Sequence, residues 1–419
     1  MITSKSKTKL DSGGKPIFIS NLKLAHFRNY IEINTDFPKG LNILHGSNGQ
    51  GKTNLLESIS MLTTGRSAKA ANDRETVGWS AINEPIPYTR IQAKVVDDPS
   101  LTNIELILQI NQLQNTQKDG LVSYENDLLK TGRLQKALKL NGVRQKKING
   151  AAIIKVVSTG PEEVTLLSGA PSERRRFLDE TSIQTNPQFL DINQKYQKVI
   201  SQRNALLRRM REEQGSRTTE IDAWEEEIVN LGSHILSNRY QLLRSMKEQL
   251  NQSYKYLSAE SGDFNLVYID STGSSENSSQ QNIRENFKKS LENNWGKDLA
   301  ISTTSVGPHR DDFRTFLDKN DIGIFGSRGQ QRVVSIALFL AEAKYIKDQT
   351  NKNPILLFDD PLSELDNLHR ERFLEFGISI GEQIFLTTAE PKLIPEKNRK
   401  ESTHYIVDQG IISTSNKTP

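Results

Sequence analysis

The chain has 419 residues, of which 35% are hydrophobic and 25% charged, with a formal net charge of +4 and no cysteine. The length predicts roughly two to three domains, and the lack of cysteine excludes a disulfide scaffold, a thiolate zinc site and a cysteine nucleophile. No stretch approaches the ~18 apolar residues of a membrane helix, so we expect a soluble cytoplasmic protein. Residues 1–16 are polar and dotted with lysine, which predicts a disordered tail and not a signal peptide.

In chain order, the first predicted elements are strands. Between residues 17 and 44 hydrophobic and polar residues alternate, which predicts two or three strands, the last of them buried at 41–44. A glycine-rich loop and a helix over 53–62 follow. Further strands are predicted at 88–96 and 104–110, a hairpin tip at 111–120, and a second hairpin over 136–150 with Asn-Gly turns at 141–142 and 149–150.

From about residue 188 the hydrophobic period changes from two to 3.6. This predicts one helix over 187–211 and a second over 220–257, about 57 Å long at 1.5 Å per residue, which together would form an antiparallel arm. The low-complexity stretch 271–282 predicts a mobile loop. After residue 301 the pattern predicts a helix over 333–343 and buried strands at 355–358 and 384–387.

The glycine-rich loop carries the strongest chemical motif. The pattern G-x-x-x-x-G-K-[ST] is matched in full by Gly46, Ser47, Asn48, Gly49, Gln50, Gly51, Lys52 and Thr53. It follows a buried strand and opens a helix, which is the context that a phosphate-binding loop requires. Backbone N–H groups would surround the β-phosphate, Lys52 would reach the β- and γ-phosphates, and the Thr53 hydroxyl would bind Mg²⁺.

A second element of such a site is the strand at 355–358, which ends in Asp359 and Asp360. Asp359 would hold Mg²⁺ through water, and Asp360 would orient or deprotonate the attacking water. An acidic pair at a strand end is by itself usually a solvated turn, so its interpretation depends on the phosphate loop. With Lys52, these two aspartates are the predicted catalytic residues.

The two elements are 306 residues apart (359 − 53), so a large segment is inserted between them, and the helical arm is the obvious insert. In between, residues 325–332 form a glycine-rich turn that caps the predicted helix at 333 and offers a second anion site. Ser327, Gly329 and Gln330 are its candidate nucleotide contacts. Ser327 precedes Asp359 by 32 residues (359 − 327), the order found when such a loop serves a nucleotide bound to another subunit. The alternative is an ordinary helix N-cap.

These motifs together resemble the ABC-type ATPase heads of the SMC group and, more narrowly, the RecF family of bacterial repair and replication proteins. The carriers are Phe27–Tyr30 as FRNY, residues 46–57, Gly65-Arg66-Ser67, Pro171 with Arg174–Asp179 as RRRFLD, residues 307–312 as GPHRDD, residues 327–332, and 363–366 as SELD. The resemblance implies an α/β fold, an ABC-type head with mixed sheets and an inserted helical arm. The expected domains are the N-terminal part of the head at 17–187, the arm at 188–299 and the C-terminal part of the head at 300–419.

The resemblance also implies a function. Ser327 would contact the γ-phosphate across a dimer, and Asp366 would lie in the loop along the dimer interface. The protein would bind ATP and Mg²⁺, form an ATP-dependent homodimer, close on single-stranded or gapped DNA, and hydrolyse ATP slowly as a DNA-stimulated switch. The expected partners are RecR and RecO, and the expected roles are recombinase loading and support of the SOS response.

Three features depart from general ABC ATPases or from the family pattern. Asp360 stands where a catalytic glutamate is usual, and Thr388-Ala389-Glu390 supplies no switch histidine; both features agree with slow hydrolysis and with the family. Residues 68–70 (Ala-Lys-Ala) are less basic than the family pattern, which weakens an adenine site there. The identity of a lid glutamine stays open.

DNA contacts are expected on the arm. Residues 195–217 hold seven basic residues against two acidic ones, and the candidates are Lys195, Lys198, Arg203, Arg208 and Arg209. Contacts to the phosphate backbone would be salt-dependent and insensitive to base sequence. A solvated helix face explains the same pattern equally well, and Arg174–Arg176 could instead pack around Asp179.

Other functions stay open. An ATPase–nuclease would need a metal-binding domain beyond the 53 residues (419 − 366) that follow Asp366, and an SMC-type bridging protein would need a far longer arm. The full motif set argues against a phage-defence ATPase with the same head, and only biochemistry would exclude it. His309-Arg310-Asp311-Asp312 could hold a metal, but a turn with locally paired charges is the favoured interpretation.

Overall fold

The computed structural model describes residues 17–111, 132–160, 164–213, 217–258, 262–363 and 365–415. The expected tail at 1–16 lies outside these residues, as does all but the first residue of the hairpin tip expected at 111–120. Among the described helices, none combines the length and the apolar character that crossing a bilayer requires.

The strands of the described residues are β1 (Ile17–Phe27), β2 (Tyr30–Asp36), β3 (Gly40–His45), β4 (Tyr88–Asp97), β5 (Ser100–Asn111), β6 (Arg133–Leu140), β7 (Val143–Arg144), β8 (Val156–Thr159), β9 (Phe264–Ile269), β10 (Asp312–Leu317), β11 (Asn320–Asp321), β12 (Ile355–Asp359), β13 (Gln383–Thr388), β14 (Thr403–Asp408) and β15 (Ile411–Thr414). The helices are α1 (Lys52–Thr64), α2 (Val164–Ser168), α3 (Pro171–Thr185), α4 (Phe189–Glu212), α5 (Thr219–Ser258), α6 (Gln280–Asn293), α7 (Trp295–Ile301), α8 (Ile322–Phe325), α9 (Arg328–Thr350), α10 (Asn367–Ile380) and α11 (Glu396–Lys400).

The chain divides into two compact units, one made of Met1–Pro161 with Ile346–Pro419, the other of Glu162–Tyr345. We call them the first and second units. Their boundaries at 161/162 and 345/346 differ from the domain boundaries expected at 187/188 and 299/300. The division into head and arm by function therefore stays a prediction.

The first unit contains a six-stranded sheet in the order β15-β14-β3-β13-β12-β8. All neighbours in it are parallel except β15, which pairs antiparallel with β14. The register sets Asp359 beside Thr387, and Thr387 beside Leu44. Because the carboxyl ends of parallel strands meet at one edge, the loops after β3, β12 and β13 converge there, as ligand sites in such sheets do.

The second sheet of this unit is antiparallel, in the order β2-β1-β4-β5-β6-β7. Its apolar face, α1 and the parallel sheet contribute to a single hydrophobic core. That core includes Leu24 of β1, Ile59 of α1 and Phe385 of β13, none of them more than 1% exposed. Helix α1 is thus fixed between two sheets, with its first turn at the carboxyl edge of the parallel sheet.

The second unit holds the arm and a three-stranded antiparallel sheet, β11-β10-β9. Helices α4 and α5 run antiparallel. The ion pairs Arg203–Glu225 and Arg209–Glu220 show this, because the later residue of α4 pairs with the earlier residue of α5. The 40 residues of α5 span about 60 Å. The predicted antiparallel arm is confirmed.

Most predicted elements are confirmed to within a few residues, including both buried strands after residue 350 and the hairpin turn at Asn141-Gly142. Three predictions are wrong in part. Asn149-Gly150 leads into a 3₁₀ turn and not into a hairpin, and the loop expected at 271–282 ends at 279, where Ser279 caps α6. The helix expected at 333 begins at Arg328, because Ser327 already supplies its N-cap hydrogen bonds.

Candidate nucleotide-binding site

The loop between β3 and α1 has the backbone that the motif predicts. Gly49 and Gly51 have φ angles of 81° and 115°, in the region that favours glycine. A Cβ on Gly51 would lie 2.6 Å from the amide nitrogen of Asn29, and one on Gly46 would lie 2.2 Å from the carbonyl oxygen of Val407. Only glycine therefore fits at these two close approaches.

Lys52, the first residue of α1, is held inside this loop. Its ammonium donates to the carbonyl oxygens of Gly46 at 2.5 Å and of Ser47 at 2.9 Å. Burial lowers the pKa of Lys52, and the nearby carboxylates of Asp360 and Asp359 act in the opposite direction. The loop thus holds a positive charge at the point where the motif requires one for phosphate.

The carboxylate of Asp359 accepts hydrogen bonds from three side chains. Thr53 and Thr387 donate their hydroxyls to Oδ1 at 2.8 and 2.7 Å, and the Lys69 ammonium lies 2.7 Å from Oδ2. The Asp359 side chain is only 8% exposed, so these partners replace its hydration. Neither Thr387 nor Lys69 is among the site residues predicted from the sequence.

Asp360 follows at the end of β12 with φ of 49°, a left-handed conformation. Its N–H donates to the carbonyl oxygen of Thr387 at 3.2 Å and to the hydroxyl of Thr387 at 2.9 Å. This turns the chain so that both aspartates face one cavity of about 310 Å³. The lining residues are Asn48, Gly49, Gly51, Lys52, Thr53, Asn54, Asp359, Asp360 and Thr387.

The oxygen donors suit Mg²⁺ bound together with phosphates. The Thr53 hydroxyl and the Asp359 carboxylate, 2.8 Å apart, are hard oxygen ligands, and Mg²⁺ typically takes one or two protein groups, waters and substrate phosphates. The described residues contain no cluster of three or more His, Cys, Asp or Glu side chains that could hold a metal alone. Thr53 and Asp359 would therefore leave most of the coordination of Mg²⁺ to nucleotide phosphates and water.

The β1–β2 hairpin supports the phosphate loop from outside. Its two-residue turn places the Asn29 amide 2.9 Å from the Gln50 carbonyl and the Tyr30 hydroxyl 2.8 Å from the Gly51 carbonyl. Arg28 forms a bidentate pair with the buried Glu57 of α1, at 2.7 and 3.0 Å. Sequence reasoning found FRNY only as a family resemblance, because these bonds join segments that merely become neighbours in the fold.

The predicted nucleotide contacts Ser327, Gly329 and Gln330 lie in the second unit at the start of α9. The Ser327 hydroxyl accepts from the Gln330 N–H at 3.3 Å, and the Gln330 side chain accepts from the Ser327 N–H at 3.0 Å. This reciprocal pair is a capping box, so the alternative of a helix N-cap is confirmed as a structural role. Ser327, Gly329 and Gln330 are all exposed.

The GPHRDD and RRRFLD motifs meet inside the second unit. Arg174, 1% exposed, forms a bidentate pair with Asp312 at 2.6 and 2.9 Å, and the Arg175 guanidinium donates to the Asp311 carbonyl at 2.8 Å. Burial lowers the pKa of His309 to about 4, and its ring contacts Tyr196 and the Thr304 carbonyl. The expected local pairing of charges at 309–312 is therefore wrong in part, because the bidentate partner of Asp312 is Arg174, 138 residues away in the sequence.

The alternative that the arginine run Arg174–Arg176 packs around Asp179 is wrong for Arg174. Arg239 of α5 pairs with Asp179 at 2.7 Å, while Arg174 takes Asp312.

The candidate DNA contacts on α4 divide into two groups. Lys195, Lys198, Arg208 and Arg209 are exposed, although Arg209 pairs with Glu220 at 3.2 Å. Arg203 is fully buried between Glu225 and Asp298, each at 2.7 Å. The expectation that Arg203 contacts DNA is therefore corrected, because its charge is already neutralised inside the arm.

The start of α5 also changes the charge balance that the sequence count of 195–217 suggested. The antiparallel pairing brings Glu220 against Arg209 and Glu225 against Arg203. Two positive charges of α4 are thus paired within the arm, and Lys195, Lys198 and Arg208 are the exposed candidates.

Fold and site together define a P-loop ATPase of the ABC type with an SMC-like head. The family described as RecF/RecN/SMC N terminal domain matches residues 18–413. The chain is 34% identical to the DNA replication and repair protein RecF of Heliobacterium modesticaldum over 95% of this chain and 100% of the relative. It is 32% identical to that of Bacillus thuringiensis over 94% and 98%. A solved structure of the recombination mediator protein RecF with ATP, of the RecFOR pathway, superposes with a TM-score of 0.81 at 26% identity, covering 96% of this chain and 98% of the other. The chain belongs to the RecF family.

Proposed function

We propose that this protein is an ATP-controlled DNA-binding protein of recombinational repair and replication. The observation that carries the proposal is the meeting of Lys52, Thr53, Asp359 and Asp360 around one cavity, in a chain whose relatives are named for DNA replication and repair and solved with ATP. Binding at single-stranded and gapped DNA, support of the SOS response, and a cytoplasmic location belong to the same proposal.

Within the cavity, each residue has a separate task. Backbone N–H groups at the start of α1 and the Lys52 ammonium bind and orient the phosphates. Thr53 and Asp359 would hold a Mg²⁺ ion, which when bound would supply positive charge to the phosphate oxygens. Asp360 orients the attacking water and takes its proton. A carboxylate one methylene shorter than glutamate agrees with slow, switch-like hydrolysis.

An ATP-dependent homodimer is supported by the exposed residues of the turn at 325–332. Ser327, Gly329 and Gln330 are exposed, and so are the neighbouring Ile324 and Phe325, at 63% and 74%. We propose that these residues contact the nucleotide bound to a second copy. ATP would then stabilise the dimer by its differential affinity, and loss of the γ-phosphate would release it.

The decisive experiment is sedimentation of the wild type and Lys52→Met with ATP and Mg²⁺, with and without gapped DNA. Lys94→Met, an exposed lysine of the same unit, serves as the matched control. We expect ATP-dependent dimers for the wild type and the control and monomers for Lys52→Met. A wild type that stays monomeric with ATP and has no affinity for DNA would overturn the repair proposal.

For DNA, we propose contacts from the outward side of α4, through Lys195, Lys198 and Arg208. Replacing all three by methionine should weaken binding to single-stranded DNA and reduce the slope of log affinity against log salt by about 2, at ~0.7 per phosphate contact. The control replaces Lys288, Lys289 and Lys297, three exposed lysines of the same unit, and should leave the slope unchanged. Equal slopes for both triple variants would place the DNA elsewhere.

RecR and RecO are proposed as partners on the basis of family membership and of a relative placed in the RecFOR pathway. Pull-down of each purified partner with the wild type, with and without ATP, tests this proposal. Weak ATPase activity stimulated by DNA is the corresponding enzymatic expectation. A phage-defence or nuclease role has no feature among the described residues that favours it.

A further inference from the structure

Lys69 makes a contact that the phosphate-loop motif does not require. It lies five residues after the end of α1, yet its ammonium is 2.7 Å from Oδ2 of Asp359, with the two side chains 31% and 8% exposed. The opposite oxygen of that carboxylate accepts from Thr53 and Thr387. A lysine thus neutralises the carboxylate that is expected to hold Mg²⁺.

The backbone around Lys69 is held in place by local hydrogen bonds. The Ser67 hydroxyl accepts from the N–H groups of Lys69 at 3.0 Å and Ala70 at 2.7 Å, and Asp73 accepts from the Ser67 N–H at 2.8 Å. Asp73 itself pairs with Lys136 of β6. The contact between Lys69 and Asp359 therefore starts from an anchored turn, and only the lysine side chain has to move to break it.

The end of β8 leaves room beside this ion pair. A Cβ on Gly160 would lie 3.8 Å from Oδ2 of Asp359 and 4.0 Å from the Lys69 ammonium. Because Gly160 has no side chain, the Lys69 side chain has room to rotate away from the Asp359 carboxylate. A side chain at 160 would narrow this space.

We propose that Lys69 is a positioning residue that pairs with the cation side of Asp359 and competes there with Mg²⁺. This inference rests on the proposed ATP function. An ammonium and a divalent cation on one carboxylate repel each other strongly at such distances, so Mg²⁺ has to displace Lys69. The phosphates of the nucleotide supply the further charge that makes the exchange favourable. The consequence is a site that takes up Mg²⁺ together with nucleotide and not before it.

The test compares the wild type with Lys69→Met, Lys69→Gln and Lys69→Arg, using Lys146→Met as a control at an exposed lysine of the same unit. Binding of a fluorescent ATP analogue is measured from chelated to millimolar Mg²⁺. We expect the half-saturating Mg²⁺ concentration to fall about five- to tenfold in the methionine and glutamine variants, a typical coupling between two ligands of one site. Lys69→Arg and the control should match the wild type.

A second measurement needs no nucleotide. The melting temperature of each variant is followed as MgCl₂ alone is added, with CaCl₂ at equal ionic strength as the comparison. Lys69→Met should gain stability from Mg²⁺, since Asp359 has lost its cation, whereas the wild type should not respond. This measurement tests the role of Lys69 even if neither the wild type nor any variant binds the ATP analogue. A lack of binding by all of them would overturn the proposed ATP function.

Two results would overturn the inference. If Lys69→Met and Lys69→Gln require the same Mg²⁺ concentration as the wild type and melt alike with added Mg²⁺, Lys69 does not compete. If both variants lose affinity for the ATP analogue equally with and without Mg²⁺, Lys69 contacts a phosphate and not the cation position.

Discussion

The two units use buried charge in opposite ways. In the first unit, Lys52, Asp359 and Asp360 face one cavity, so their charges are directed at a ligand. In the second unit, Arg174, Arg203 and Arg239 are at most 2% exposed and each pairs with a carboxylate of the same unit. Buried charge alone therefore does not identify a functional site; what matters is whether the partners lie within the fold or have to come from outside.

The comparison also explains why the sequence pattern overstates the number of exposed basic residues on the arm. A count of basic residues along α4 assumes that every arginine is exposed. In an antiparallel pair of helices, however, one side of each helix packs against its neighbour and is buried. Arg203 lies on that inner side, between Glu225 and Asp298, whereas Lys198 and Arg208 of the same helix are exposed. The distinction depends on the position of α5 and α7, which no count along one helix contains.

The largest expected effect is that of Arg203→Met. This change leaves Glu225 and Asp298 buried without their shared cation, and breaking a buried pair by removal of one partner typically costs about 3–5 kcal/mol. We expect the second unit to unfold at a lower denaturant concentration, measured by limited proteolysis within the arm across a urea series. Affinity for the ATP analogue should be retained, because every residue lining the cavity belongs to the first unit.

Arg209→Met is the matched control, since Arg209 pairs with Glu220 at the surface with both side chains more than half exposed. Such exposed pairs contribute about 0–1 kcal/mol. Similar destabilisation by both variants would contradict the distinction between buried and surface pairs within the arm.

The next effect concerns Glu342 of α9, which is 5% exposed and accepts from the Thr181 hydroxyl at 2.7 Å. Burial raises the pKa of this carboxyl from 4.5 to about 8. The folded state therefore holds a proton that the unfolded state has released between these two pH values. Stability must fall as pH rises through this window, by up to about 1.4 kcal/mol per pH unit.

Glu342→Gln removes the titrating group and keeps a hydrogen-bond acceptor for Thr181. We expect the variant to gain stability over the wild type as pH is raised from about 5 to 8, and to differ little near pH 4.5. Urea unfolding of both proteins across this range is the measurement. Parallel curves would show that Glu342 is ionised in the folded protein and that a cation of the fold stabilises it.

The smallest effect is expected for Tyr30→Phe in the first unit. The change removes one hydrogen bond, from the tyrosine hydroxyl to the Gly51 carbonyl at 2.8 Å, and such bonds contribute about 1 kcal/mol. The phosphate loop would lose one external support and keep all its own residues. We expect a two- to fivefold loss of affinity for the ATP analogue, measured by fluorescence titration.

Tyr240→Phe is a suitable comparison, because Tyr240 donates to Asp270 within the second unit at 2.5 Å. It should leave nucleotide affinity unchanged. Equal losses of affinity for the two variants would mean that the hairpin does not support the loop specifically.

Much of the fold could be predicted because its signals are local. The alternation that marks β2, the apolar run of β12 and the 3.6-residue stripe of α5 depend only on residues that are near one another in the sequence. The start of α9 was misplaced by five residues, because a capping box at Ser327 and Gln330 is a weak local signal beside a glycine. The second of the two boundaries between the units could not be predicted from the sequence, since it falls within helix α9, between Tyr345 and Ile346.

The sequence by itself determined the phosphate loop, the strand ending in two aspartates and the helical arm, because each depends on residue types at a fixed spacing along the chain. Only the tertiary structure decided which charges are available. It pairs Lys69 with Asp359, which is 290 residues later in the sequence. It also pairs Arg28 with Glu57 and buries Arg203 inside the arm. The physical reason is that burial and pairing depend on distances between segments, and those distances are set by the packing of sheets and helices rather than by any single segment.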